Sequence, residues 1–121
     1  MKILICDDDP MTLRTLEYQL KKDGYEIIKT SNGREASIVL DADDTIDLLI
    51  VDLYMPIMTG LELVTYVREY LQRTIPIIVV SRVSIEDNVN QALELGANAY
   101  INKPFNLVEL SKKVKDILNL S

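Results

Sequence analysis

The sequence contains no histidine, no tryptophan and a single cysteine, Cys6. Such a chain cannot assemble a His- or Cys-ligated zinc site, a Ser-His-Asp triad or a Cys-His pair. Any metal it binds must be held by oxygen, which favours Mg2+, Ca2+ or Mn2+. The four glycines, Gly24, Gly33, Gly60 and Gly96, are never closer than nine residues. Neither G-x-x-x-x-G-K-[ST] nor G-x-G-x-x-G can therefore occur, and nucleotide cradles of those kinds are excluded. Basic residues are in the minority, 13 against 19 acids, for a net charge of −6. That balance argues against this domain gripping a nucleic-acid backbone, which needs clustered Lys and Arg. No apolar stretch approaches the roughly 20 residues of a membrane span. Met1-Lys2-Ile3 leads into a strand-like run with no signal-peptide layout, and with one thiol the expected location is the cytoplasm.

What is present suits one domain over residues 1–121: 48% apolar and 26% charged, long enough to bury a core. Apolar runs and helical periodicity alternate five times. Ile3-Leu4-Ile5-Cys6 stops at acids; Met11 to Lys22 then places Leu13, Leu16 and Leu20 on one face, with Asp9 as N-cap, Pro10 first and Gly24 as the stop. Tyr25 to Thr30 is a more polar, partly alternating strand, suited to an edge. A helix from Gly33 to Leu40 precedes a strand from Asp47 to Val51 that ends at Asp52. Gly60 opens a third helix with Leu61, Val64, Val67 and Leu71 spaced three and four apart. Ile75 to Val80 is the fourth strand; Ser84-Ile85-Glu86-Asp87 resembles a capping box for a helix that runs to Gly96. Asn98 to Asn102 is the fifth strand, and Asn106 caps a last helix that turns Leu110, Val114, Ile117 and Leu118 inward.

This βα alternation predicts an α/β fold: a doubly wound, five-stranded parallel sheet with helices on both faces. Strands one, three and four are the most continuously apolar, which makes them central and gives the order 2-1-3-4-5. Ligands of such sheets sit beyond the carboxyl ends of the strands where the winding reverses, here between strands one and three. Strand one ends in Asp7-Asp8-Asp9 and strand three in Asp52. Asp9 has an ordinary capping role before Pro10, but Asp52 precedes a loop, so capping does not account for Asp7, Asp8 and Asp52 together. A cluster of that charge repels itself, and a bound Mg2+ is the usual remedy. Ser81 and Lys103 end strands four and five of the same sheet.

These residues, with Met55-Pro56-Ile57-Met58-Thr59-Gly60 after Asp52, Tyr100, and Lys103-Pro104-Phe105, resemble the receiver domain of two-component response regulators over the full length. The resemblance implies a flavodoxin-like phosphoacceptor switch and not an enzyme in the usual sense, although it assists its own phosphorylation and dephosphorylation. Asp52 would accept a phosphoryl group from a histidine kinase or histidine phosphotransfer protein. Mg2+ would be held by Asp8, Asp52 and the Tyr54 backbone carbonyl, and by Asp7 through water. Lys103 would contact the phosphoryl group, Ser81 would act as the switch hydroxyl and Tyr100 as the switch aromatic, changing the surface of helix four, strand five and helix five. The resemblance also allows a homodimer through that surface and implies a cis bond before Pro104.

Arg82 departs from the small residue usual at its position, and could either crowd the pocket or add a compensating charge. Bulky Tyr54 and apolar Val83 lead to an expectation of slow self-dephosphorylation. Two other classes compete. A haloacid-dehalogenase-type phosphohydrolase shares strand-end acids, but its motif expects Thr or Val where this chain has Met11. A phosphate-independent pseudo-receiver would not need the full set of Asp7, Asp8, Asp52, Ser81 and Lys103.

Overall fold

The computed structural model describes residues 1–82 and 86–119. Five strands, β1 (Lys2–Cys6), β2 (Glu26–Thr30), β3 (Leu48–Asp52), β4 (Ile77–Ser81) and β5 (Ala99–Asn102), form one parallel sheet in the order β2-β1-β3-β4-β5. Helices α1 (Pro10–Lys22), α2 (Gly33–Ala42), α3 (Gly60–Thr65) and α4 (Glu86–Leu95) make the crossovers, and α5 (Leu107–Asn119) follows the last strand. The predicted class, strand order and two-sided covering are all present.

Alternation along the central strands allots their side chains to two cores. Leu4, Cys6, Leu49, Val51, Ile77 and Val79 face one way and pack with Ala36, Leu40, Leu63, Val64, Val67 and Ala92 of the α2–α3–α4 layer. Ile3, Ile5, Leu48, Ile50, Ile78 and Val80 face the other and meet Leu16 and Leu20 of α1 and Leu110, Val114 and Leu118 of α5. Burial on both faces explains why these strands are apolar at every position. Asp9 caps α1 as expected, accepting from the Met11 amide at 3.1 Å, and Gly24 follows the helix at φ 99°.

Two local readings need correction. The fourth strand begins at Ile77 rather than Ile75, because Pro76 has no N–H to give the ladder, although its carbonyl still accepts from Leu49. The third helix is α-helical only to Thr65 and continues as a π-helical turn over Tyr66–Tyr70, closed by Leu71 N to Tyr66 O at 2.9 Å. Its start is fixed by a capping box between Thr59 and Glu62, in addition to Gly60. The capping box expected at Ser84-Ile85-Glu86-Asp87 begins outside the described residues, and Val83 also lies outside them.

Candidate functional site

Register places the site. Cys6 pairs with Val51, Asp52 with Val80, and Ser81 with Asn102. The residues that end β1, β3, β4 and β5 thus reach one edge of the sheet side by side. Asp7, Asp8, Asp52, Tyr54, Ser81 and Lys103 line a cleft of about 490 Å³ there, together with Asp9, Pro10 and Arg82. Tyr100 stands apart: it is half-buried, packs against the α2–α3–α4 core and lines a neighbouring hollow with Phe105 and Lys113.

Asp7 is buried, and its two oxygens are committed separately. Oδ1 accepts from the Asp9 amide at 2.9 Å, while Oδ2 accepts from Lys103 Nζ at 2.6 Å. Lys103 Nζ also reaches Asp52 Oδ2 at 3.3 Å. The lysine is held in place through its backbone, where its N–H donates to the Ser81 carbonyl at 2.8 Å. The Lys103-Pro104 bond is cis, as the resemblance implied. Asp52 Oδ1 accepts from the Tyr54 amide at 3.4 Å.

Burial raises the Asp52 carboxyl above its ordinary pKa, and Asp7 adds to the rise; Lys103 and the Tyr54 amide only partly offset it. Burial alone would pull Lys103 down, but its bonds to Asp7 and Asp52 outweigh that and hold its pKa above the ordinary value. Here two buried carboxylates share one ammonium, and a third carboxylate stands alongside. Asp7, Asp8 and Asp52 each offer an oxygen within 4.8 Å of the others. Asp8 is exposed, so the cluster opens to solvent on that side.

Asp9 is not in this trio. Its carboxyl is held below its ordinary range by the Thr12 hydroxyl first and the Met11 amide next, with smaller contributions from Lys103 and Arg82. Arg82 is exposed at the cleft edge, where its charge acts on Asp9. Cys6 is buried next to this site, donates to Met55 Sδ at 3.4 Å, and has its thiol pushed up to about 12 by burial, in keeping with a small core residue.

The loop after Asp52 is fitted closely to the strand end. Gly60 N donates to Leu53 O at 2.8 Å, and a Cβ at Gly60 would lie 2.2 Å from the Asp52 carbonyl oxygen. The sequence reading missed one contact of this loop: Asn88 Nδ2, in α4, donates to Tyr54 Oη at 3.1 Å. No motif signals that pair, because the two residues meet only through the packing of α4 against α3 and β5.

A receiver-domain family model, that of the response regulator receiver domain, matches residues 3–115. Among curated proteins, the chain is 33% identical over 120 residues to the alkaline phosphatase synthesis transcriptional regulatory protein PhoP of Bacillus subtilis, covering 99% of this chain and 49% of that protein. It is 36% identical to the transcriptional regulatory protein KdpE of Staphylococcus aureus, covering 96% and 49% respectively. The chain therefore spans about half the length of these curated relatives. Among solved structures, a CheY-like receiver domain protein from Methanospirillum hungatei superimposes with a TM-score of 0.92 at 30% identity, covering 98% of this chain and 94% of that one. Fold, strand-end constellation and family match agree: the chain belongs to the receiver-domain family of two-component response regulators.

Proposed function

We propose that Asp52 is the phosphoacceptor and that Asp7, Asp8, Asp52 and the Tyr54 backbone carbonyl hold Mg2+. The observation that carries this reading is the trio of carboxylates with oxygens within 4.8 Å of one another, two of them sharing the Lys103 ammonium. Oxygen-only donors at a solvent-open edge fit a hard dication that keeps several waters. When bound, Mg2+ supplies positive charge to the carboxylates and to the phosphoryl oxygens.

The chain's own residues account for the rest. An Asp52 oxygen forms a bond to phosphorus as the P–N bond of the donor phosphohistidine breaks and its electron pair leaves on the imidazole nitrogen. Since residues 1–121 include no histidine, the donor group belongs to a histidine kinase or histidine phosphotransfer protein. Asp7, Asp8 and Asp52 carry −3 against +1 on Lys103, which is why the site calls for a dication before further anionic charge arrives. Lys103, already placed between Asp7 and Asp52, moves its bonds to the new phosphoryl oxygens, and Ser81 donates its hydroxyl to them.

Removing Ser81 from its resting position leaves space that Tyr100 fills by turning inward, and the α4–β5–α5 surface changes. That surface acts on the downstream output and serves any homodimer; Val108 is exposed on it, whereas Ala92 is wholly in the core. The domain works in the cytoplasm, without contacting nucleic acid or membrane itself; among the described residues no helix is long and apolar enough to cross a membrane. Tyr54 beside Asp52 supports slow loss of the phosphoryl group.

Incubation with acetyl phosphate and Mg2+ tests the reading. One acyl phosphate per chain, absent in Asp52→Asn, is expected. Many turnovers per chain would point to a phosphohydrolase, and no labelling to a phosphate-independent pseudo-receiver.

A further inference from the structure

Helix α4 is held differently at its two ends. At the C-terminal end, Arg68 of the π-helical turn donates to the Gly96 carbonyl from Nε at 3.1 Å and from Nη2 at 2.9 Å, and Nη2 also reaches Asn98 Oδ1 at 3.0 Å. Asn98 is itself anchored on β4, donating to Ile77 O at 2.8 Å and accepting from Ile77 N at 2.8 Å. Near the N-terminal end, among the described residues, a tie to the site is a side-chain bond, Asn88 Nδ2 to Tyr54 Oη at 3.1 Å.

Tyr54 is thereby fixed twice. Its backbone N–H donates to Asp52 Oδ1 at 3.4 Å, and its hydroxyl, at the far end of the ring, accepts from α4. The residue lines the cleft, while its side chain remains half exposed, with 54% of the residue accessible. A ring pinned at both ends is a fixed wall of the cleft; a ring pinned at one end turns about χ1 and opens it.

We infer that Asn88 is a positioning residue for phosphoryl acceptance, holding the Tyr54 ring as the cleft wall nearest α4 and so slowing entry of small phosphodonors until the first turns of α4 move. The inference rests on Asp52 being the phosphoacceptor. It also gives the site a physical connection to α4: what displaces the ring pulls on Asn88, and the Arg68 clamp leaves the far end of the helix in place.

The test is the rate of Asp52 labelling by acetyl phosphate at fixed Mg2+ in the unaltered protein, Tyr54→Phe, Asn88→Ala and the double variant. One exposed neutral hydrogen bond sets the scale, so each single variant is expected to label about two- to tenfold faster. The double variant should be no faster than the quicker single one, since either change removes the same bond. A second readout does not depend on activity: in Tyr54→Phe, the Asn88 side-chain amide resonances shift and hydrogen exchange rises over residues 86–90 but not over 91–97. A mere change in helix propensity at position 88 would not produce that in Tyr54→Phe. Unchanged rates, effects that multiply in the double variant, or an unmoved Asn88 amide signal would overturn the inference. An unaltered protein that fails to label would instead overturn the phosphoacceptor reading on which it rests.

Discussion

Replacing Lys103 with Met removes the one ammonium shared by Asp7 and Asp52 while keeping most of the side chain's apolar stem. The ammonium lies 2.6 Å from Asp7 and 3.3 Å from Asp52, and the three side chains are 9%, 3% and 12% exposed. Breaking a buried pair of this kind costs about 3–5 kcal/mol, because charge is left uncompensated. The cost has a ceiling, however, since the unpaired Asp52 can take up a proton. With an unfolded-state pKa of about 3.9, protonation at pH 7 costs about 4 kcal/mol. The expected loss at pH 7 without Mg2+ is therefore about 3–4 kcal/mol. The pH dependence follows from the sign of the shift. Burial and Asp7 already raise Asp52, and loss of Lys103 raises it further, so the folded variant binds more protons than the unfolded chain. Its deficit then shrinks as pH falls towards 5, by at most about 1.4 kcal/mol per unit. Urea unfolding followed by circular dichroism in EDTA measures this, and adding Asp52→Asn to Lys103→Met should recover most of the loss. A deficit that is the same at pH 5 and pH 7, and is not recovered by Asp52→Asn, would refute the reasoning.

Gly60→Ala places a Cβ 2.2 Å from the Asp52 carbonyl oxygen and 2.9 Å from Leu53 Cα, both backbone atoms that cannot rotate away. It should cost about 1–3 kcal/mol in urea unfolding and weaken Mg2+ binding measured by calorimetry, whereas an Ala variant matching the parent in both would contradict the close fit. Asp43 is held well below the ordinary carboxylate range, by the Thr45 hydroxyl first and Lys2 next. Its depressed pKa contributes stability that is present above about pH 4 and lost as pH falls through the acid range, so unfolding curves of Asp43→Asn should show a weaker acid dependence than the parent. Cys6, buried and with its thiol pushed up to about 12, should resist iodoacetamide in the native protein at pH 8 and react on unfolding in urea; rapid native labelling would place it elsewhere.

The sheet was legible because its strands are punctuated by chemistry. Ile3–Cys6 and Leu48–Val51 are unbroken apolar runs that end at acids, and burial on both faces requires that pattern. The carboxyl-edge cluster followed, since Asp7, Asp52, Ser81 and Lys103 each stand at or just past a strand end and parallel register aligns such ends. Where local pattern and backbone register differ, the reading went astray. Val64, Val67 and Leu71 fit an α-helical face, yet the chain turns π-helical over Tyr66–Tyr70, where Arg68 bonds to Gly96 and Asn98 and to the Arg73 carbonyl at 2.9 Å. Gly96 and Asn98 are remote in sequence, so nothing in the segment announces them. The Thr59–Glu62 capping box did carry a local T-x-x-E signal that Gly60 overshadowed. The bond from Asn88 to Tyr54 carried none. Arg82 could be placed only by the structure, at the exposed cleft edge near Asp9.

The central claim is that Asp52, beside Asp7, Asp8 and Lys103, accepts a phosphoryl group. Intact-mass measurement after incubation with acetyl phosphate tests it most directly, run on the unaltered protein and Asp52→Asn, each with Mg2+ and with EDTA. The account predicts a gain of one phosphoryl group only in the unaltered protein with Mg2+, lost again on treatment with hydroxylamine, which cleaves acyl phosphates. A phosphoryl group retained in Asp52→Asn, or none in the unaltered protein with Mg2+, would contradict it.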